Sequence, residues 1–551
     1  MCQLCLARFH QKYLSSRRSF LKGAAATSIA AAGGLKLFAP RPAAAQGNAP
    51  LSSGAPGNRY VIRGGAVMSM DPQVGDFPKA DVLVEGKKIL AVGPNIGSVG
   101  GGTGVIDATG RIVMPGFIDT HHHQFETALR GWLADGVLID DTSGSPSGSR
   151  TYFENILLKF APVYRPQDVY ISELFAGLSQ LDDGVTTVHD VSQIHHTPAH
   201  SDAAIQALID TGRRAAFGYF EGAGNNPPNY AYPGDAIRII AKWFGGSGVN
   251  LSSNGLVHMI MGGEVYLGPG TTQQSWTIGR QLNLQIAAHI LSPFGIRPIL
   301  DDLADGKGGN GTIGLGPDNL FIHMTGMSDK GWNGVKNANA QVSIAFPIEM
   351  NMRHGMPPIL KMQQLGMEPS LSTDVEVTMT ADFFTQMRVA MNMQRELVNQ
   401  MILNQSGSTL HLEQANNWGL PADKAGNQWP APNGQPALLT TRDVLRYATM
   451  NGAKALRLDK TVGSLTPGKE ADIIVLDATS LNVAPLNHVP GTVVSLMDRT
   501  NVETVIVAGK IRKWKGQLLD VNLNNLRSQL EASRDFIFNA AGVPQSLFDP
   551  H

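Results

Sequence analysis

The stretch that most restricts the fold is Ile112-Val113-Met114-Pro115-Gly116-Phe117-Ile118-Asp119-Thr120-His121-His122-His123, an apolar strand running directly into histidines. Residues i and i+2 of a strand project to the same side about 6.6–7 Å apart, so His121 and His123 can both reach one ion. Two imidazoles at about 2.0–2.1 Å from an ion leave room for further ligands and a water. Ligands at a strand end suit a parallel barrel, whose chemistry sits where its strands end. The sequence between residues 112 and 460 has the matching alternation. Apolar strands such as Gly184-Val185-Thr186-Thr187-Val188, Leu284-Gln285-Ile286-Ala287-Ala288 and Asn319-Leu320-Phe321-Ile322 are each followed by a loop and helical spacing. This predicts an α/β fold, a (β/α)₈ TIM-type barrel with insertions.

β-rich pieces flank that middle. Tyr60-Val61-Ile62-Arg63, Ala80 to Glu85 and Lys88 to Val92 precede it; Ala471 to Leu476 and Val502 to Val507 follow. They are expected to pair into one small β-sandwich built from N- and C-terminal segments. The expected organisation is 1–45 export signal, 46–114 first part of the sandwich, 115–460 barrel, 461–520 second part, and 521–551 a helical tail. Gly- and Asn-rich runs at 305–318 and 405–435 read as long loops. Met350, Met352, Met356 and the methionines from Met379 to Met393 read as filling for core gaps.

Residues 1–45 read as an address. Ser16-Arg17-Arg18-Ser19-Phe20-Leu21-Lys22, a weakly apolar Gly23–Gly34 stretch and Ala43-Ala44-Ala45 form a twin-arginine export signal with cleavage near Gln46. The expected partner is the twin-arginine export machinery and the expected location is periplasmic. Both cysteines, Cys2 and Cys5, lie in this segment, so a metal site in the mature chain must use His and carboxylates. The segment also holds seven Lys/Arg and no Asp/Glu; the remainder has 37 basic against 45 acidic residues, a net charge of −8. That balance argues against nucleic-acid binding, which needs a basic surface. No apolar run reaches the roughly 18–20 residues of a membrane span, so no stable membrane anchor is expected.

Three further strand ends carry suitable side chains. His289 follows Gln285-Ile286-Ala287-Ala288, His323 follows Leu320-Phe321-Ile322, and Asp374 follows Ser370-Leu371-Ser372-Thr373. Along one barrel the order is His-x-His, His, His, Asp. Together with Leu129-Arg130-Gly131, Gly316-Pro317-Asp318-Asn319, Asn451-Gly452-Ala453-Lys454-Ala455-Leu456 and Gly463 to Val475, this set resembles the amidohydrolase superfamily. The branch it resembles holds triazine chlorohydrolases, cytosine deaminases and related aminohydrolases, and the likeness covers nearly the whole mature chain. The resemblance implies one divalent metal ion, zinc or ferrous iron, ligated by His121, His123, His289 and Asp374. It places His323 beside that set, steering substrate or water and donating to the atom that becomes anionic during attack. Asp374 would also take the water's proton and pass it to the leaving group.

The chain departs from that branch at one telling place. Ring deaminases of the branch carry a Glu three residues after the strand-five His, which protonates a ring nitrogen; here the stretch reads His289-Ile290-Leu291-Ser292, and a serine pKa is far too high for that role. Ala287 likewise stands where a second His is often found. Glu264, after the expected fourth strand, is the candidate substitute as acid, base or substrate ligand; Gln124 and Tyr266 are candidate substrate contacts. His189, His195, His196 and His200 read as surface groups or as neighbours of the ligands.

The function expected from these residues is metal-dependent hydrolysis of a non-peptide C–N bond (amide, carbamate, urea or amidine) in a small-molecule substrate. Hydrolytic dehalogenation, ring deamination with a substitute acid, and a non-catalytic metal-holding binding protein are the alternatives. A redox role lacks its motifs: the mature chain has no thiol, haem motif or dinucleotide fingerprint. A homo-oligomer is compatible with the sequence.

Overall fold

The computed structural model describes residues 48–548 except 51, 98–99, 101–102, 141–149, 223–230 and 406–435. The expected export signal, both cysteines and nearly all of the 405–435 run lie outside the described residues. Among the described residues no helix is long and apolar enough to cross a membrane.

Five strands open the chain: β1 (Arg59–Met68), β2 (Asp76–Glu85), β3 (Lys88–Gly93), β4 (Gly104–Asp107) and β5 (Arg111–Pro115). Eight follow: β6 (Phe117–His122), β7 (Val185–Ser192), β8 (Arg214–Tyr219), β9 (Val257–Gly262), β10 (Gln285–Leu291), β11 (Asn319–Thr325), β12 (Gln341–Ile344) and β13 (Ser370–Leu371). Four more follow among the described residues: β14 (Ile473–Asp477), β15 (Val502–Val507), β16 (Lys510–Trp514) and β17 (Gln517–Leu518).

Strands β6 to β13 pair in chain order, all parallel, with helices between them. β6, β7, β8, β10 and β11 are buried at every residue, as strands covered on both faces must be. The ring closes between its last and first strands at the histidines themselves. The Asp374 amide donates to the His121 carbonyl at 2.9 Å, and the His123 amide donates to the Asp374 carbonyl at 2.8 Å. Gly116 is needed where this first strand enters the barrel, because a Cβ there would lie 2.2 Å from the Thr186 side chain on β7. The observed fold is therefore the expected TIM-type barrel.

The remaining nine strands form one mixed sheet in the order β17-β16-β15-β14-β5-β1-β2-β3, with β4 also on β1. The N- and C-terminal pieces meet where β14 pairs antiparallel with β5, Ile473 opposite Pro115 and Asp477 opposite Arg111. Tyr60, Ile62, Val82, Ile106, Ile473 and Ile506 share the sheet's own apolar core. A second core fills the barrel's interior below the strand ends, with Ile118, Ala216, Phe220, Ile260, Ala287 and Ile322 packed on Ala453 and Leu456. The helix Leu523–Ala540 lies on the helix Pro166–Asp182, where Ser533 Oγ donates to Asp168 Oδ1 at 2.7 Å. The methionines divide: Met387 is core, Met350 and Met356 are exposed instead of filling gaps, and Met352 borders the cavity described next.

Candidate metal centre

The four donors named by the sequence converge at the mouth of the barrel. His121 Nε2 lies 2.9 Å from His123 Nε2 and 3.1 Å from His289 Nε2. Asp374 Oδ1 lies 3.5 Å from His121 Nε2 and 3.6 Å from His123 Nε2. Ligands at about 2.05 Å around a tetrahedral ion stand roughly 3.3 Å apart, so the set fits one small divalent cation. His121, His123 and Asp374 are buried and His289 is 8 % exposed. Burial and the neighbouring imidazoles hold His121 and His123 well below the usual histidine range, so both are neutral and ready to ligate. Burial pushes the Asp374 carboxyl up to about 7, an effect a bound cation reverses.

The backbone pays a cost to present these groups. His323 and Asp374 both sit in the left-handed region, with φ of +72° and +61°, where side chains other than glycine's are rare. Strain of this kind, of order 1–3 kcal/mol per residue, persists where the surrounding structure imposes it.

Two carboxylates orient the rings. Glu264, at the end of β9, is fully buried; its Oε1 accepts from His289 Nδ1 at 2.5 Å and its Oε2 from the His289 amide at 3.0 Å. Burial opposes charge on His289, and the Glu264 carboxylate outweighs it, raising that pKa. This corrects the expectation for Glu264. It does not border the cavity; it fixes the tautomer that leaves His289 Nε2 free to bind metal. Glu349 Oε1 likewise lies 2.9 Å from His323 Nδ1. Burial pushes the Glu349 carboxyl up and holds His323 down, and His323 Nε2 lies 3.7 Å from Asp374 Oδ2.

Gln124 also departs from expectation. Its amide donates to Glu173 Oε2 at 2.9 Å and its carbonyl accepts from Arg213, all buried behind the first strand and away from the cavity. Tyr266 does border the cavity, with its hydroxyl donated to Glu221. His189, His195, His196 and His200 are all buried. His189 Nδ1 bonds the Thr120 carbonyl at 2.9 Å, beneath the ligand strand.

His195 gives a measurable consequence. Burial holds its pKa down at about 3, against about 6.5 in the unfolded chain. The unfolded state thus binds a proton below pH 6.5 that the native state refuses, so the associated stability is present above 6.5 and is lost as pH falls toward 3. Between pH 7 and 5 the expected loss is about 2 kcal/mol from this residue. Urea unfolding of His195→Gln should show a loss smaller by that amount; an identical pH slope in both proteins would refute it.

Above the donors lies a cavity of about 390 Å³ bordered by His123, His289, His323 and Asp374. It also holds two polar residues that sequence reasoning missed. His354, 4 % exposed, places Nδ1 4.0 Å from Asp374 Oδ2, and Gln193 is 3 % exposed. Gln193 follows β7 directly, a strand-end position that the (β/α)₈ reading singles out; His354 sits in a loop with no spacing signal at all.

Comparison with known proteins agrees with this fold. Residues 424–512 match the amidohydrolase family. The chain is 24% identical over 471 residues to the 5'-deoxyadenosine deaminase of Methanosarcina acetivorans, covering 82% of this chain and 92% of that protein. It is 24% identical over 492 residues to the 5-methylthioadenosine/S-adenosylhomocysteine deaminase of Pelotomaculum thermopropionicum, covering 86% and 97%. Among solved structures, a zinc-bound adenosine deaminase from Xanthomonas campestris superposes with a TM-score of 0.67 at 18% identity, over 88% of this chain and 99% of that one. The zinc complex of an atrazine chlorohydrolase from Arthrobacter aurescens superposes with a TM-score of 0.61 at 18% identity, over 86% and 100%. The family match is confined to residues 424–512, and the chain shares its overall fold with these solved hydrolases and deaminases.

Proposed function

We propose that this chain is a metal-dependent hydrolase of a non-peptide C–N bond in a small molecule, exported through the twin-arginine pathway. One observation carries the reading: three further buried donors lie within 3.5 Å of His121 Nε2 at the barrel mouth, on the floor of a cavity large enough for a small substrate. Similarity to deaminases along more than four fifths of the chain supports the same reaction class.

His121, His123, His289 and Asp374 would hold one zinc or ferrous ion. When bound, such an ion acidifies water and polarises the bond under attack near neutral pH. The chain's own groups do the rest. Asp374 Oδ2 faces the cavity side beside His323 and His354, where it can take a proton and return it to the leaving nitrogen. His323, its Nδ1 beside Glu349, places Nε2 where it can steady the nucleophile. The apolar cavity wall keeps bulk water from competing with the positioned reactants.

The test reconstitutes chelator-stripped mature protein with zinc or iron and follows amine or ammonia release across amides, carbamates, ureas and amidines. Release only in the metal-loaded protein is the expected result. Metal bound at one equivalent with no release from any class would replace the hydrolase by a metal-holding binder. The same preparation, taken from the periplasmic fraction, should begin near Gln46; an uncleaved chain confined to the cytoplasm would refute export.

A further inference from the structure

The cavity says more about its occupant than the metal ligands do. Away from the donors its wall is apolar, formed by Leu138, Ile139, Leu157, Phe294, Met352 and Val375. Among the described residues no Lys or Arg borders it, while the carboxylates of Asp140 and Glu154 do. A substrate carboxylate or phosphate would meet hydrocarbon and like charge.

Three polar residues at the edge of this apolar space carry atoms without partners. Gln193 Oε1, Glu154 Oε2 and both ring nitrogens of His354 are buried and make no hydrogen bond within the protein, while Gln193 Nε2 donates to Glu221 Oε1 at 3.5 Å. Buried polar atoms are ordinarily paired, so such groups bordering a cavity mark where a ligand's donors and acceptors lie. The nearby hydroxyls of Tyr152 and Tyr266 are already given to Glu126 and Glu221. Ser292, at the position from which ring deaminases protonate their substrate, is exposed and does not border the cavity. The pocket therefore lacks the ring-protonating carboxylate and offers a donor–acceptor pair instead.

Resting on the hydrolase reading, we propose that the substrate is an amide without negative charge that bears an aryl or branched alkyl group, with Gln193 and His354 hydrogen-bonding the amide while the apolar wall takes the hydrocarbon. An amide supplies one acceptor and one donor about two bonds apart, which suits that pair. Water's oxygen bonds to the carbonyl carbon and the C–N bond breaks. One proton of the water ends on the amine nitrogen and the other is released from the new carboxylic acid.

Calorimetry of the zinc-loaded chain with acetanilide, its carboxylate analogue 4-acetamidobenzoate, and adenosine reads binding and, through continuing heat, turnover. Acetanilide should bind at least about 30-fold more tightly than 4-acetamidobenzoate. His354→Leu should weaken acetanilide about 10-fold, and His354→Gln, which keeps a donor and an acceptor, should restore it to within about 3-fold. Equal binding of the carboxylate analogue, or tighter binding of adenosine, overturns the substrate assignment and leaves the hydrolase standing. Acetanilide binding to a chain that takes up no zinc overturns the hydrolase and leaves the pocket assignment standing.

Discussion

Replacing His121 and His123 together with alanine should take bound metal from near one equivalent per chain to near zero and lower kcat/KM at least about 10³-fold. The size follows from what the ion supplies, several kcal/mol of transition-state stabilisation at about 1.4 kcal/mol per factor of ten. The two rings contribute half the donor set, and His121 Nε2 is the atom that lies near all the others, at 2.9, 3.1 and 3.5 Å. Far-ultraviolet circular dichroism keeps loss of metal distinct from loss of fold. Glu264→Gln gives a graded comparison: it weakens the bond that fixes His289 without removing a ligand, so metal affinity should fall about 10- to 100-fold. Metal near zero in the unaltered protein as well would make the histidines filler and remove the hydrolase reading altogether.

The candidate donors were legible in the sequence because each is tied to a local pattern. His121 and His123 are two apart on a strand, and His289, His323 and Asp374 each follow an apolar run. What surrounds them depends on direction, which sequence adjacency does not encode. Gln124 adjoins His123 in the chain yet turns away to Glu173 and Arg213. Glu264 was visible as an unusual carboxylate after strand four, but only the pairing of β9 with β10 sets it against the far ring nitrogen of His289. His354 reaches the cavity from beyond the helix Phe346–Asn351, so no period connects it to the other histidines. The fold was legible for the opposite reason: strand–helix alternation is repeated many times, and β-rich pieces at both ends have few ways to bury their apolar faces.

How those end pieces are fastened to the barrel leads to the largest expected effect on stability. Arg214 opens β8 at the end of the barrel remote from the metal donors, with its side chain 3% exposed. Its Nε and Nη2 donate to the two carboxylate oxygens of Asp472, each at 3.1 Å, and Nη2 also donates to Glu470 Oε2 at 2.9 Å. Asp472 immediately precedes β14, and its Oδ1 accepts from the Ala508 amide at 2.8 Å, so one guanidinium ties barrel to sheet. Arg214→Ala would leave the buried Asp472 carboxylate without a cation, while Glu470 keeps Lys87 at 2.8 Å, and breaking such a buried pair costs about 3–5 kcal/mol. The exposed pair Arg59–Glu85 provides the contrast, since Arg59→Ala should cost no more than about 1 kcal/mol. Arg214→Lys should fall between, because an ammonium cannot match the two-pronged geometry at Asp472. Urea unfolding of the three variants measures all of this. Equal losses for Arg214→Ala and Arg59→Ala would mean that the barrel and the sheet are held together by apolar packing alone, and that the buried charges at their junction contribute nothing to that attachment.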